Sequence, residues 1–276
     1  MFEPVSYLHG SKLSRKAKTN PELEVALGYY EGWKARSLSV KGREKEDIEL
    51  LTDYLNSYKD AVEDIFDSRS NSAQEILQPS IIEEFMEYLF CQLGREFNSD
   101  VYRNMGSSFY DLIIHPCSID SLRERPEYTL RKKDQDFVIG FQATLSLKVN
   151  SSDITQTEQI LIPAVAIECK RYLERNMMDE CSGTAKKIQS ATPYCKFYVV
   201  AEYLKMDDAV PEKTGIDEIY ILRHQKNSDR LKSDFTPNPI DSELVWEFYS
   251  EVIGHLKSVW WDKESGLKIG KVFNFS

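Results

Sequence analysis

Apolar and polar residues follow a helical period in the first third of the chain. Across residues 44–67, apolar side chains recur every three or four positions, which predicts an amphipathic helix with a mostly acidic outer face. A second helix is predicted to begin near Pro79, with Ser80 as its N-cap and Glu83 three residues later. Gly94 is its expected end.

From about residue 108 the pattern becomes strand-like. Two long β-rich runs, 136–149 and 160–172, flank a short polar loop and predict an antiparallel hairpin. The remaining predicted elements are a strand at 109–116, a helix at 176–190, strands at 196–204 and 216–223, and a helix at 242–260. This order predicts an α/β (α+β) fold with a mixed central sheet flanked by helices. It divides the chain into a helical N-terminal region, 1–78, and a core, 79–276.

Charge is distributed unevenly along the chain. The net charge is −10, whereas most DNA-binding surfaces are basic. Residues 1–45 nevertheless carry a surplus of four positive charges, and residues 46–100 a surplus of eleven negative ones. Most of the acidity therefore lies in one segment that can face away from a phosphate backbone, and the composition does not exclude DNA as a partner.

Several function classes find no support in the sequence. The five cysteines form no CxxC pair, and the four histidines lack metal-ligand spacing, which argues against a zinc site or a disulfide framework. There is no glycine-rich phosphate loop, so ATP use is not expected. No apolar run has membrane-spanning length and the N-terminus does not resemble a signal peptide, so we expect a cytoplasmic protein without membrane contact.

The candidate chemistry lies at the end of the run 160–172. Alternation along a strand puts Glu168 and Lys170 on one face and only apolar side chains on the other. If the hairpin turn centres near residues 152–153, Asp136 lies opposite residue 168 or 169. Two neighbouring carboxylates repel each other unless a cation lies between them, and Mg²⁺ prefers oxygen ligands. The carbonyl of Cys169 would add another oxygen, and Lys170 would orient or activate a water.

A Glu-x-Lys pair alone is weak evidence, because it also arises by chance as a salt bridge at a strand end. The combination with Asp136, the hairpin, and the following helix and strand is more specific. The motif Asp136…Glu168-Cys169-Lys170 resembles the PD-(D/E)XK nuclease superfamily. The layout from residue 80 to 223 is similar to a subunit of the two-subunit type II restriction endonucleases that cut asymmetric sites, BbvCI being one.

The resemblance implies an activity and partners. Asp136 and Glu168 would bind Mg²⁺, Lys170 would serve the attacking water, and the chain would be an endonuclease acting on double-stranded DNA. Each such site cuts one strand, so a double-strand break requires a dimer with a related second subunit (heterodimer) or with a second copy. The N-terminal region, 1–78, would contact DNA or form the subunit interface. A non-specific nuclease of the same fold and a non-catalytic nucleic-acid-binding protein remain alternatives.

Some assignments stay open at this level. Gln135 stands where the family pattern has proline, and the two rivals of Asp136 as first metal ligand are Asp134 and Asp111. A glutamate of the second helix could join the site, the candidates being Glu83, Glu84 and Glu87. Gln189 could point to the site or to solvent. DNA backbone contacts are expected from Arg131-Lys132-Lys133, and further candidates are the basic residues of 14–43 and the segment 223–232.

Overall fold

The computed structural model describes residues 6–67, 74–97, 100–125, 127–207, 210, 213–232, 234–258, 260 and 262–270. Helices precede the sheet in the chain, as the hydrophobic period predicts. Their bounds are α1 Leu8–Ala17, α2 Pro21–Ser39, α3 Lys45–Asp67, α4 Gln74–Phe90 and the short α5 Leu93–Glu96. Asn20 is the N-cap of α2, and its side chain accepts a hydrogen bond from the amide of Glu22.

A mixed sheet of five strands follows, in the spatial order β1-β2-β3-β4-β5. The strands are β1 Tyr102–Ile114, β2 Tyr128–Lys148, β3 Thr155–Leu173, β4 Lys196–Leu204 and β5 Glu218–Lys226. The first three pair antiparallel, and β3, β4 and β5 pair parallel. The remaining helices are α6 Ile119–Glu124, α7 Arg175–Ala191, α8 Ser242–Lys257 and α9 Lys263–Ile269. The predicted mixed sheet with flanking helices is confirmed.

The sheet is buried on both faces. One face packs against α4 and α8, and α1–α3 extend the same core, which includes Trp33, Phe85, Ile167 and Val252. The other packs against α7 through a smaller core around Ala166. Because the larger core contains residues of α1–α3 together with residues of the sheet, the N-terminal helices and the sheet share one hydrophobic interior.

Three local predictions differ from the structure. Helix α4 begins at Gln74, not at Ser80, and Pro79 lies inside it. Ser80 is therefore not an N-cap; its hydroxyl donates to the carbonyl of Leu77. The helix ends at Phe90, before Gly94, and α5 follows. Between β1 and β2 the short helix α6 was not expected; it begins with Ser118 in a capping box.

Strand β3 carries one extra residue in its pairing with β2. Next to the turn, the pairs run in one register from Lys148↔Thr155 to Gly140↔Pro163. The next residue of β2, Ile139, pairs with Val165, so Ala164 has no partner and forms a β-bulge. Without this bulge, the register set by the turn would place residue 136 opposite residue 167. With it, the position after Phe137↔Ile167 puts 136 opposite 168. The bulge therefore turns the side chains of these two residues to the same face.

Candidate active site

Three side chains converge at the end of strands β2 and β3. The ammonium of Lys170 donates hydrogen bonds to Asp136 Oδ2 at 2.9 Å and to Glu168 Oε2 at 2.7 Å. Asp136 Oδ2 also accepts from the backbone amide of Cys169 at 2.8 Å, which ties the carboxylate of β2 to the backbone of β3. The sequence-predicted residues Asp136, Glu168 and Lys170 are thus within hydrogen-bond distance of one another.

The strand alternation explains which face the cluster occupies. Val165, Ile167 and Cys169 lie in the large core, whereas Ala166 lies in the smaller core beneath α7. Glu168 and Lys170 share the face of Ala166 and lie where the strand leaves the buried part of the sheet. They are only partly covered, and 13% of the Glu168 side chain and 24% of the Lys170 side chain are exposed.

Burial and the closeness of the charged groups shift the pKa values of Glu168 and Lys170. Burial, and next the charge of Asp136, raise the pKa of Glu168 to about 7. For Lys170, burial disfavours the ammonium, but the carboxylates of Glu168 and Asp136 outweigh it and raise the pKa above its usual value. Lys170 is therefore a cation at neutral pH, and the site binds positive charge strongly.

The donor set suits a hard divalent cation. The ammonium of Lys170 hydrogen-bonds one oxygen of Asp136 and one of Glu168, so these two carboxylate oxygens lie close to the same position. Among the described residues, no group of three or more His, Cys, Asp or Glu side chains is placed to hold a metal ion. The carboxylates of Asp136 and Glu168 provide oxygen atoms of the kind that Mg²⁺ prefers, and Mg²⁺ needs few protein ligands because it keeps several waters.

The two rivals of Asp136 lie elsewhere. Asp134 is exposed and accepts a hydrogen bond from the hydroxyl of Ser107. Asp111 pairs in register with Arg131, five residues from Asp136, which is roughly 17 Å along a strand. Of the three aspartates, Asp136 is the one that contacts Lys170.

The three glutamates of α4 have different surroundings. Glu84 is buried and accepts hydrogen bonds from Tyr30, Tyr88 and the amide of Gly10. Burial raises the pKa of Glu87 to about 8, opposed by the charge of Arg103. Burial, and next the charge of Asp136, raise the pKa of Glu83. Glu83 is thus the glutamate of α4 whose charge acts on the site.

Sequence reasoning missed the partner of Glu83. The ammonium of Lys12, in α1, lies 3.1 Å from Glu83 Oε2. The two residues are 71 positions apart, and Lys12 is one of several lysines in the first part of the chain. No local pattern distinguishes it from them, so only the packing of α1 on α4 reveals it.

The other predicted contact residues are divided between surface and interior. Arg131, Lys132 and Lys133 are exposed, and Lys133 is three residues from Asp136, about 10 Å along β2. The segment 223–232 begins with Arg223, which is buried and hydrogen-bonds Glu202 at 2.9 Å, so that arginine cannot reach a DNA groove. Gln189 points neither to the site nor freely to solvent, because it donates to Asp217 and to the carbonyl of Cys195.

Within the described part of the chain, no helix is both long enough and apolar enough to cross a membrane.

Comparison with known proteins agrees with this geometry. The model of the Bpu10I restriction endonuclease family matches residues 74–239, which is more than half of the chain and includes Asp136, Glu168 and Lys170. The chain matches none of the curated proteins. A solved structure, the native BbvCI A2B2 tetramer at low resolution, is similar in fold, with a TM-score of 0.68 and 21% identity over 91% of this chain and 96% of that chain. The chain therefore belongs to the Bpu10I restriction endonuclease family and is a type II site-specific deoxyribonuclease.

Proposed function

We propose that the chain hydrolyses DNA phosphodiester bonds with Mg²⁺ held by Asp136 and Glu168, and with Lys170 acting on the attacking water. The observation that carries the proposal is the shared ammonium: Lys170 contacts both carboxylates, at 2.9 and 2.7 Å. A pair of partly buried carboxylates is costly unless a cation balances it. This cost supports the pair as the site of the metal ion.

Each residue has a separate task. Asp136 and Glu168 supply anionic oxygens, and the amide of Cys169 fixes the orientation of Asp136. Lys170 remains protonated, so it orients the nucleophilic water and neutralises the charge that develops on the phosphate, while proton abstraction falls to another base or to solvent. When bound, the cation supplies Lewis-acid polarisation of the scissile phosphate. Exposed Arg131 and Lys133 lie along the same strand and would contact the DNA backbone.

Cleavage of supercoiled plasmid tests these assignments. With Mg²⁺ present, Asp136→Ala, Glu168→Ala and Lys170→Ala are each expected to lower the rate by about 10²- to 10³-fold or more, the range for removing one electrostatic group from an active site. Asp134→Ala is the matched control, because Asp134 lies on the same strand as Asp136 but pairs with Ser107 and not with Lys170. EDTA should abolish cleavage by the wild type. Undiminished cleavage by the Glu168 and Lys170 variants would disprove the site.

We further infer that the chain works with a second nuclease subunit. One metal site cuts one strand, so two sites must act together to produce a double-strand break. The similar BbvCI structure is an A2B2 tetramer, which favours a non-identical partner over a second copy of this chain. Products separate the two possibilities: the chain alone should nick one defined strand of its site, whereas a homodimer would linearise the plasmid without any other protein.

A further inference from the structure

Helix α1 brings a second lysine to the border of the active site. Lys12 lies 3.1 Å from Glu83 of α4, and α4 packs against β2 and β3, the strands that carry Asp136 and Lys170. The charges of Asp136 and Lys170 also shift the pKa of Glu83. The site therefore draws charged groups from four elements, α1, α4, β2 and β3. Lys12 is the one contributed by the N-terminal region, and the proposed mechanism does not use it.

The position of Lys12 is fixed by its own helix. One turn earlier, the ring of His9 hydrogen-bonds Ser80 at 2.9 Å and Tyr58 at 2.6 Å. The amide of Gly10 donates to Glu84 at 3.0 Å. These buried contacts join α1 to α3 and α4, so the ammonium of Lys12 is held in place before any substrate binds. Preorganisation of this kind is what electrostatic catalysis requires.

The Lys12–Glu83 ion pair is expected to contribute little to the stability of the fold. Of the two side chains, 24% and 10% respectively are exposed, so both groups have given up much of their hydration. Partly exposed ion pairs contribute little to stability, and buried ones are often no better than apolar side chains of similar size. Stability therefore does not account for a lysine at this position.

A count of charges indicates a different role. Asp136, Glu168 and Glu83 bring three carboxyl groups to the site, against one ammonium group from Lys170. Such an excess of carboxyl groups favours a metal cation but repels a DNA phosphate. Lys12 adds a second ammonium group. The lysine thus lowers the repulsion of the phosphate without removing a metal ligand.

We propose that Lys12 is a phosphate-binding residue of the active site, supplied by the N-terminal helix α1. This inference rests on the proposed function of Asp136, Glu168 and Lys170. On DNA binding, the ammonium of Lys12 contacts phosphate oxygens beside the scissile bond while Glu83 stays next to it. The N-terminal region then has a direct part in DNA binding at the cleavage site.

The test compares Lys12→Met, which keeps the length of the side chain without its charge, with Lys12→Arg, which keeps the charge. Plasmid cleavage at saturating Mg²⁺ should fall at least tenfold in Lys12→Met and recover in part in Lys12→Arg. The Mg²⁺ concentration for half-maximal activity should not rise in Lys12→Met, because no ligand is lost. Lys268→Met, at an exposed lysine of α9, should leave activity unchanged.

Binding of the same plasmid DNA, with Ca²⁺ replacing Mg²⁺ to prevent cleavage, gives a readout that a change in folding does not mimic. Loss of one phosphate contact lowers the slope of log Kd against log salt by about 0.9. An unchanged slope in Lys12→Met, or cleavage at the wild-type rate, would overturn the inference. If Lys170→Ala also cleaved at the wild-type rate, the proposed function itself would fall; an inactive Lys170→Ala beside a fully active Lys12→Met would overturn only the role of Lys12.

Discussion

Lys170 and Lys59 both pair with carboxylates, and their surroundings give them opposite properties. Lys170 is partly exposed and bonded to two carboxylates, which raise its pKa against the effect of burial. Lys59 is fully buried and shares Glu202 with Arg223; burial lowers its pKa although Glu202 opposes the shift. Lys170 therefore lies in the partly exposed site for which we propose a catalytic role, whereas Lys59 belongs to an internal charge cluster.

The internal cluster predicts a large stability effect from one substitution. Glu202 accepts hydrogen bonds from Lys59 at 2.7 Å and from Arg223 at 2.9 Å, with no exposed side-chain area of its own. Glu202→Gln would remove the carboxylate that pairs with both buried cations and should lower the free energy of unfolding by about 3–5 kcal/mol. Urea denaturation measures this. Glu174→Gln, in the surface pair with Lys205, is the control and should leave the midpoint unchanged.

The buried ring of His9 is expected to make the stability of the fold decrease at acidic pH. Ser80 already donates its hydroxyl hydrogen to Leu77, so it accepts from Nδ1–H of His9, and Nε2 accepts from Tyr58. Burial, and next the charge of Lys59, lower the pKa of His9 from 6.5 to about 3. The native ring therefore stays neutral where the unfolded ring takes up a proton. The stability that it contributes is complete above pH 6.5 and is lost as the pH falls toward 3.

Unfolding at pH 7, 5.5 and 4 tests this assignment. The proton taken up on unfolding should lower the stability of the wild type by up to about 1.4 kcal/mol per pH unit below 6.5. His9→Gln lacks that proton, so its deficit relative to the wild type should shrink as the pH falls. A deficit that stays constant from pH 7 to pH 4 would show that His9 does not titrate in this way. His224→Gln, at an exposed position, is the control.

At the scale of elements, the hairpin of β2 and β3 decides the geometry of the site. The pairing of Asp136 with Glu168 could be predicted only approximately, because it depends on one turn and one bulge. The turn centres between residues 151 and 152, about one residue before the predicted centre, and the bulge at Ala164, which the sequence does not reveal, restores the pairing of 136 with 168. Helix α4 was placed too late because Pro79 is typical of a first turn, whereas buried Leu77 and Gln78 extend the helix toward its start.

A substitution at Gly140, next to the bulge, tests how strictly the fold and the site require this strand pairing. A Cβ atom there would overlap the backbone carbonyl of Ile162, which a paired strand cannot easily move. Gly140→Ala should lower the free energy of unfolding by about 1–3 kcal/mol, the usual cost of overpacking, and should reduce cleavage because Asp136 follows the same pairing.

Gly183→Ala makes the same chemical change where space is open. Nothing lies within 4 Å of the added atom in the middle of α7, so the substitution should stabilise the protein by roughly 0.5–1 kcal/mol. Thermal unfolding measures both variants. Equal effects of the two substitutions would contradict the importance assigned to the bulge.

At the scale of the whole molecule, the N-terminal helices and the sheet form one structure around the site. A single core joins them, and α1 carries Lys12 to Glu83, next to the proposed active site. Contacts across 71 residues depend on how helices pack, which a single sequence does not specify, so Lys12 was not predicted. The match to the Bpu10I restriction endonuclease family begins at residue 74, after α1–α3, whereas the similarity to the BbvCI structure extends over 91% of the chain.

The most direct test of the proposed active site is the position of a divalent cation in crystals of the protein. Mn²⁺ takes the oxygen ligands of Mg²⁺ and is located by its anomalous scattering. We predict one peak between Asp136 and Glu168, at about 2.0–2.2 Å from an oxygen of each, with the ammonium of Lys170 moved away from the carboxylates. A Mn²⁺ peak elsewhere, with Lys170 still bonded to both carboxylates, would contradict the assignment of this site as the metal centre.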